Sequence, residues 1–271
     1  MREIYDRKHQ TEITQGTIIN NCVAEDYPNE DVWGCIITPR CDLAHEGKVP
    51  TVHYVPIVRF SSWVRRVLRP RLEGEWRNSL KNSINQELKN CGAGQNLLDY
   101  FNNKDMILAI AKAKMNPNKY NSFSEKCTYY FDGNDAEKKK YLIEVSHAKD
   151  ILQRLIRYDF HAYYLIESWS KDSADYMILL LRDIRRMKFS TAVRFPGYFT
   201  ASNEKMEFFK ENDLCSPPDV DTLYGVETRI ISPYIEHIMQ SFSHNFTRIG
   251  VTDYDSNVLD KLNIIIKTTL Q

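Results

Sequence analysis

Apolar and polar positions change period along the chain. From Gln15 to Val58, short β-branched and aromatic runs alternate with polar loops: Gly16-Thr-Ile-Ile-Asn, Val32-Trp-Gly-Cys-Ile-Ile-Thr and Val52-His-Tyr-Val-Pro-Ile-Val. Each run is bounded by Gly, Pro, Asp or Asn, which predicts three strands. From Ser61 the period becomes four, with Val64, Leu68, Leu72, Trp76, Leu80, Ile84 and Leu88 forming a helical stripe. Pro70 falls inside it and predicts a break or kink near Arg69, and two helices instead of one. Cys91-Gly-Ala-Gly reads as a helix C-terminus. Asn96 to Phe101 and Met106 to Met115 predict short helices, Asn116-Pro-Asn-Lys a turn, and 120–136 a loop without clear period. Asp135 then opens a helix whose buried side carries Ile151, Leu152, Leu155 and Ile156.

Strand signals return in Phe160 to Glu167, Tyr176 to Met187 and Thr191 to Phe199, with a turn at Ser173 to Asp175. Residues 200–225 read as a connection. Ser232 suits an N-cap and Pro233 the first helical position of a helix to Ile249, with Ile235, Ile238, Met239, Phe242, Phe246 and Ile249 on its apolar face. Residues 258–270 predict a last amphipathic segment, and residues 1–14 a loosely docked lead-in. Three strands alone leave two open edges and little core. Both strand sets are therefore expected in one sheet. The predicted class is α+β: a small barrel domain from 1–60 and 158–271, interrupted by a mainly helical insertion, 61–157, with a C-terminal helix packed on the barrel.

Composition adds bounds. The 271 residues are 42% hydrophobic and 27% charged, ordinary for a soluble globular protein. Thirty-six basic and 36 acidic residues leave no net charge, so nucleic acid would have to meet a local patch. The charged start, MREIYDRKHQTEITQ, lacks the apolar segment of a signal peptide, and no apolar run is long enough to span a bilayer. Cytoplasm is the expected compartment. The cysteines (22, 35, 41, 91, 127, 215) lack framework spacing and are expected as free thiols. A zinc set of Cys35, Cys41, His45 and His53 lacks the paired spacing of structural sites, and no metal or cofactor is expected.

The densest chemistry follows the second strand: Arg40-Cys41-Asp42, then His45. Metal-independent RNA cleavage needs a base, a cation for the developing charge and an acid, and these residue types supply all three. Cys41 as a nucleophile is a further catalytic option. The competing reading has Asp42 capping a turn, Cys41 packed as a small apolar residue, and Arg40 solvated. A basic segment carries Arg59, Arg65, Arg66, Arg69, Arg71, Arg77 and Lys81 with Trp63 and Trp76 interleaved, which suits phosphate neutralisation as well as a solvated face whose tryptophans are core. Arg182, Arg185, Arg186, Lys188 and Arg194 form a second basic cluster, readable as a nucleic-acid face or as edge-strand charges. His237 and His244 read as surface positions of the C-terminal helix.

The motifs Gln15-Gly-Thr-Ile, Cys35-Ile-Ile-Thr-Pro, Tyr54-Val-Pro-Ile, the strand Tyr176 to Met187 and Ile231-Ser-Pro-Tyr-Ile-Glu together resemble, in order, the MazF/PemK/Kid toxins. The Arg-Pro pair that enters that family's second strand is replaced here by Val32-Trp33-Gly34, and Arg40 stands one loop later. Thr38-x-x-Cys41-Asp42-Leu43 and Ser232-Pro-Tyr-Ile-Glu-His237 also resemble bacterial proteins of mobile-element and phage-defence neighbourhoods. The resemblance implies an SH3-like barrel and a toxin–antitoxin or phage-defence effector that binds or cleaves RNA. A protein partner or antitoxin would hold it, and homo-oligomers are possible. A non-catalytic interaction module of such a complex is the alternative. An enzyme requires Arg40, Asp42 and His45 to converge on one groove with Arg182 or Arg186 in reach; a module does not.

Overall fold

A computed structural model describes residues 3–6, 10–45, 48–133, 138, 145–170, 176–202, 204–216 and 221–245. The strands are β1 (Tyr5–Asp6), β2 (Thr17–Ile19), β3 (Trp33–Ile36), β4 (Thr51–Arg59), β5 (Tyr163–Glu167), β6 (Tyr176–Leu180), β7 (Arg185–Lys188), β8 (Phe199–Thr200), β9 (Leu223–Tyr224) and β10 (Val226–Ile230). Eight of them form one curled antiparallel sheet in the order β1-β10-β2-β3-β4-β6-β5, with β7 also on β4. The early strands and those near Leu180 therefore share a sheet, as expected.

The long strand β4 is the spine. One edge pairs β3 from Tyr54 to Ile57. The other pairs β7 through Thr51–Tyr54 and β6 through Ile57–Arg59. Pro56 cannot donate to a ladder, and it sits in the gap, where neither β6 nor β7 pairs with Val55 or Pro56. A proline is thus tolerated in the middle of the sheet.

Both faces of the sheet are covered, so side chains alternate between two cores. Val52, Tyr54 and Val58 of β4, Ile178 and Leu180 of β6, Ile19 and Ile36 face one layer, closed by Trp63, Leu72, Ile151 and Leu155. Val55, Ile57, Met177, Leu179, Ile18 and Cys35 face the other, closed by Ile4, Ile235 and Ile238. Cys35 thereby belongs to the core.

Helix α1 is Arg40–Leu43. Helix α2 (Phe60–Trp63), a π-helical turn (Val64–Leu68) and α3 (Arg69–Asn90) follow one another without interruption. The predicted break near Arg69 is not there. Pro70 falls inside this continuous helical run, and the π turn just before it is where the ladder adjusts to the missing N–H. α4 (Leu97–Tyr100), α5 (Lys104–Lys114) and α6 (Pro117–Phe131) come next. The turn and loop predicted from Asn116 onward are instead α6. Asn116 caps it by accepting from the Asn118 amide, and Phe123 and Cys127, one turn apart, are buried. With Ile84, Leu88, Leu98, Ile107 and Ala111 they make a third apolar cluster, so the insertion has a core of its own. In α7 (Val145–Ile156), Ile151 and Leu155 are buried, but Ile156 is 63% exposed.

Other expectations change. Tyr176 to Met187 is not one strand but β6 and β7 around a turn. Thr191 to Phe199 is not a strand either: α8 (Phe189–Ala192) and a 3-10 turn (Phe195–Gly197) lead into β8, which pairs only with β9. The connection 200–225 contains α9 (Met206–Glu211). The lead-in is docked, since β1 pairs β10 and Ile4 is buried. β10 carries the alternation Val226, Thr228, Ile230 that marks a half-buried strand, and it separates β1 from β2. Helix α10 is Tyr234–Ser243, and Ser232 makes no side-chain cap. Its buried side carries Ile235 and Ile238 as predicted. The turn at Ser173–Asp175, the helix start at Asp135, Phe246, Ile249 and 258–270 lie outside the described residues.

Gly16 joins the layers of pairing. Its amide donates to Ile36 O at 2.8 Å and its carbonyl accepts from the Ile230 amide at 2.9 Å. Its φ is +90°, and an added Cβ would lie 2.7 Å from Ile230 O, so only glycine fits.

Candidate functional site

Thr38 and Pro39 end β3's run, and α1 places Arg40, Cys41 and Asp42 on a single turn. Asp42 turns back on its own loop: Lys48 Nζ lies 2.6 Å from its Oδ1 and also donates to Cys41 O at 3.2 Å. The hydrogen bond from Lys48 holds the Asp42 carboxyl below its ordinary range, making it a weaker base. Cys41 is exposed, with its Sγ 3.6 Å from Asp42 Oδ1. Arg40 makes one long ion pair with Glu236 on α10, 3.5 Å.

Arg40 lines an open cavity of about 490 Å³ together with apolar Leu43, Phe189, Ala192 and Pro196 and polar Glu12 and Thr14. Neither Asp42 nor His45 lines it. The convergence required of a catalytic triplet is absent here. Arg182 lines a different cavity, of about 280 Å³, shared with Glu25, Asp26, Tyr27, Tyr163 and Asp183. Arg182 and Arg40 thus line separate cavities. A third cavity, about 570 Å³, lies in the insertion between Glu87, Asn90, Cys91, Lys114 and Lys119.

The basic helix is largely neutralised. Arg59 meets Asp31 at 3.5 Å, Arg65 meets Glu30 at 3.0 Å, Arg69 meets Glu73 at 2.9 Å and Arg71 meets Glu75 at 3.2 Å. Lys81 pairs with Asp99, and the Arg77 guanidinium covers the Tyr130 ring at 5.2 Å. Hydrogen bonds from Ser62 and Arg65 hold the Glu30 carboxyl below its ordinary range. Two counter-charges, Glu30 and Asp31, come from the β2–β3 loop, which the sequence segment alone does not reveal. Arg66 makes no ion pair or hydrogen bond among the described residues. Trp63 is buried, as expected of a core tryptophan.

In the second cluster, Arg185 is held by Asp183 at 2.5 Å and Glu25 at 3.3 Å, Lys188 by Glu211 at 2.5 Å, and Arg194 by Glu204 at 3.0 Å. Arg182 sits in the β6–β7 turn, not on a strand, and donates from Nε to Asn245 Oδ1 at 3.1 Å. Arg186 pairs across the ladder with His53, and both are exposed. Directly opposite residues share a face, so this His–Arg pair is a juxtaposition that sequence reasoning missed. His237 is exposed, as expected, and its Nδ1 lies 2.8 Å from the hydroxyl of buried Tyr164, fixing α10 to β5.

Among the described residues no group of three or more His, Cys, Asp or Glu is placed to hold a metal, and no helix is long and apolar enough to cross a membrane. No protein-family model matches the chain, and comparison with curated proteins and with solved structures finds no match either. Fold and site alone thus define the class: a mixed α+β protein whose curled antiparallel half-barrel sheet is flanked by helices.

Proposed function

We propose that the protein is a non-catalytic interaction module of a bacterial toxin–antitoxin or phage-defence complex, built on a divergent MazF/PemK-like barrel, and that it takes a protein partner at the Arg40 groove. One observation carries the reading. Of Arg40, Cys41, Asp42 and His45, Arg40 alone is among the residues that line this groove, while Asp42 is held by Lys48. Apolar Leu43, Phe189, Ala192 and Pro196 beside the Arg40 guanidinium and the Glu12 carboxylate suit anchoring of a partner segment that brings an apolar side chain and a carboxylate that takes Arg40 from its long pair with Glu236. The groove's ionisable lining groups are Arg40 and Glu12, and it holds neither the Asp42 nor the His45 nominated as base and acid for phosphodiester cleavage.

The test is growth after induced expression of wild type and Arg40→Ala, with an RNA-cleavage assay of both purified proteins in chelator. Equal growth and no cleavage by either protein are expected. Toxicity or cleavage abolished by Arg40→Ala would overturn the module and restore the ribonuclease.

A further inference from the structure

The loop between β2 and β3, the start of β5 and the β6–β7 turn together line the open cavity of about 280 Å³ to which Arg182 contributes. It shares no lining residue with the Arg40 groove. We propose that this second cavity binds a small organic cation bearing N–H donors: the charged end of a lysine or arginine side chain, or a free polyamine.

Three features converge. The walls are aromatic and apolar, from Tyr27, Tyr163, Val67 and Leu180, and aromatic faces attract organic cations. Three lining side chains are carboxylates, Glu25, Asp26 and Asp183, against the single guanidinium of Arg182. Asp183 is occupied, by Arg185 Nε at 2.5 Å and by the Glu25 amide at 3.2 Å. The Glu25 carboxylate reaches Arg185 at 3.3 Å and is otherwise in solvent. Asp26, by contrast, makes no hydrogen bond or ion pair among the described residues, and its charge is directed at both tyrosines.

The third feature is Tyr27 itself. It is 3% exposed, and its buried hydroxyl has no hydrogen-bond partner. A buried unpartnered hydroxyl is a standing cost, of about 1–3 kcal/mol, that a ligand donor relieves. Burial, with Tyr163 and Asp26 adding to it, pushes this hydroxyl far above its ordinary range, so it stays neutral and can accept from an ammonium or guanidinium N–H. An anion would face the Asp26 carboxylate, which no ion pair neutralises among the described residues, while Glu25 and Asp183 already share Arg185. A neutral apolar ligand would leave the hydroxyl unpaired. A cation satisfies both.

Calorimetric titration of the purified chain tests this, with agmatine, spermidine and N-acetyl-argininamide as cations and N-butylacetamide as the neutral control. Saturable binding of at least one cation and none of the amide are expected. Asp26→Asn should weaken binding about tenfold or more, as loss of a charge-assisted hydrogen bond does. Tyr27→Phe, which keeps the packing, should weaken it too, and Arg182→Gln should tighten it. N-acetyl-argininamide binding above spermidine identifies a protein side chain as the source; the reverse order identifies a polyamine. No saturable cation binding, equal binding of N-butylacetamide, or indifference to both Asp26→Asn and Tyr27→Phe would overturn the proposal.

Discussion

The Tyr5 hydroxyl donates a hydrogen bond to the main-chain carbonyl of Glu167, joining the two edge strands, β1 and β5, of the curled sheet. No ladder runs between these strands, so side chains bridge the opening of the half-barrel. Trp169 completes the bridge, edge-on to Tyr5 at 6.1 Å and to Trp33 of β3 at 5.4 Å. The Arg59 guanidinium lies over Trp33 at 5.5 Å. Tyr5→Phe removes one hydrogen bond and is expected to lower stability by about 1 kcal/mol. Trp169→Ala removes two aromatic contacts and part of the apolar cover, and is expected to lower it by about 2 kcal/mol. Urea unfolding with an unchanged denaturant slope checks both. Two unaltered midpoints would mean that the edges are held by something else.

Gly34 stands opposite Pro56 on β4 and Ile19 on β2. A Cβ there would lie 2.7 Å from Cys22 Sγ and 2.7 Å from Tyr54 Cδ2. Both neighbours are buried, and Tyr54 is tied by its hydroxyl to the Asp213 carbonyl, so neither has room to withdraw. Gly34→Ala should therefore destabilise by about 1–3 kcal/mol, the usual cost of overpacking. Thermal melting measures it. The substitution Gly74→Ala is the control: a Cβ there meets nothing within 4 Å, and alanine favours the helix.

How much of this was legible follows from which interactions decide each element. Strands β2, β3 and β4 announce themselves because both faces are buried and the β-branched runs are unbroken. Strand β10 has the same alternation in Val226, Thr228 and Ile230, but one sequence run shows no pairing, and only its place between β1 and β2 reveals its importance. Helix α6 was hidden by its polar and aromatic surface, and just two side chains, Phe123 and Cys127, are deeply buried. The candidate site was least legible. Seven basic residues between Arg59 and Lys81 look like a phosphate patch until Glu30 and Asp31 arrive from a loop some thirty residues away in sequence. Tyr27 lies in that same polar loop, and nothing in its neighbours announces a cavity.

The cysteines divide by burial. Cys22, Cys35 and Cys127 are buried, whereas Cys41 and Cys215 are exposed and Cys91 is half-buried. Burial pushes the Cys35 and Cys127 thiols up to about 12 and Cys22 well above its ordinary range. Thiolate is the reactive form, so these three are doubly protected at neutral pH. A thiol reagent at pH 8 should modify Cys41 and Cys215 quickly, Cys91 next, and the buried three only on unfolding. Peptide mapping of the labelled protein reads the order. Rapid labelling of Cys35 without denaturant would contradict its place between β2 and β4.

Salt dependence separates a phosphate-binding surface from a paired one. Of the arginines nominated for nucleic acid, Arg59, Arg65, Arg69 and Arg185 face carboxylates, and Arg182 is held by Asn245. Arg66 and Arg186 are the two whose guanidinium groups make no ion pair or hydrogen bond among the described residues. Each phosphate neutralised on a single strand contributes about −0.7 to the slope of log affinity against log salt, so two free arginines give a slope of about −1.4. A groove using all seven nominated arginines would give a slope of about −5 by the same rule. Fluorescence anisotropy of a single-stranded RNA oligomer between low and physiological salt distinguishes these values. A shallow slope, lost in the Arg66→Ala, Arg186→Ala double variant, is the expected result. A slope near the steep value would mean that the ion pairs open to admit RNA, and the interaction-module reading would give way to a nucleic-acid one.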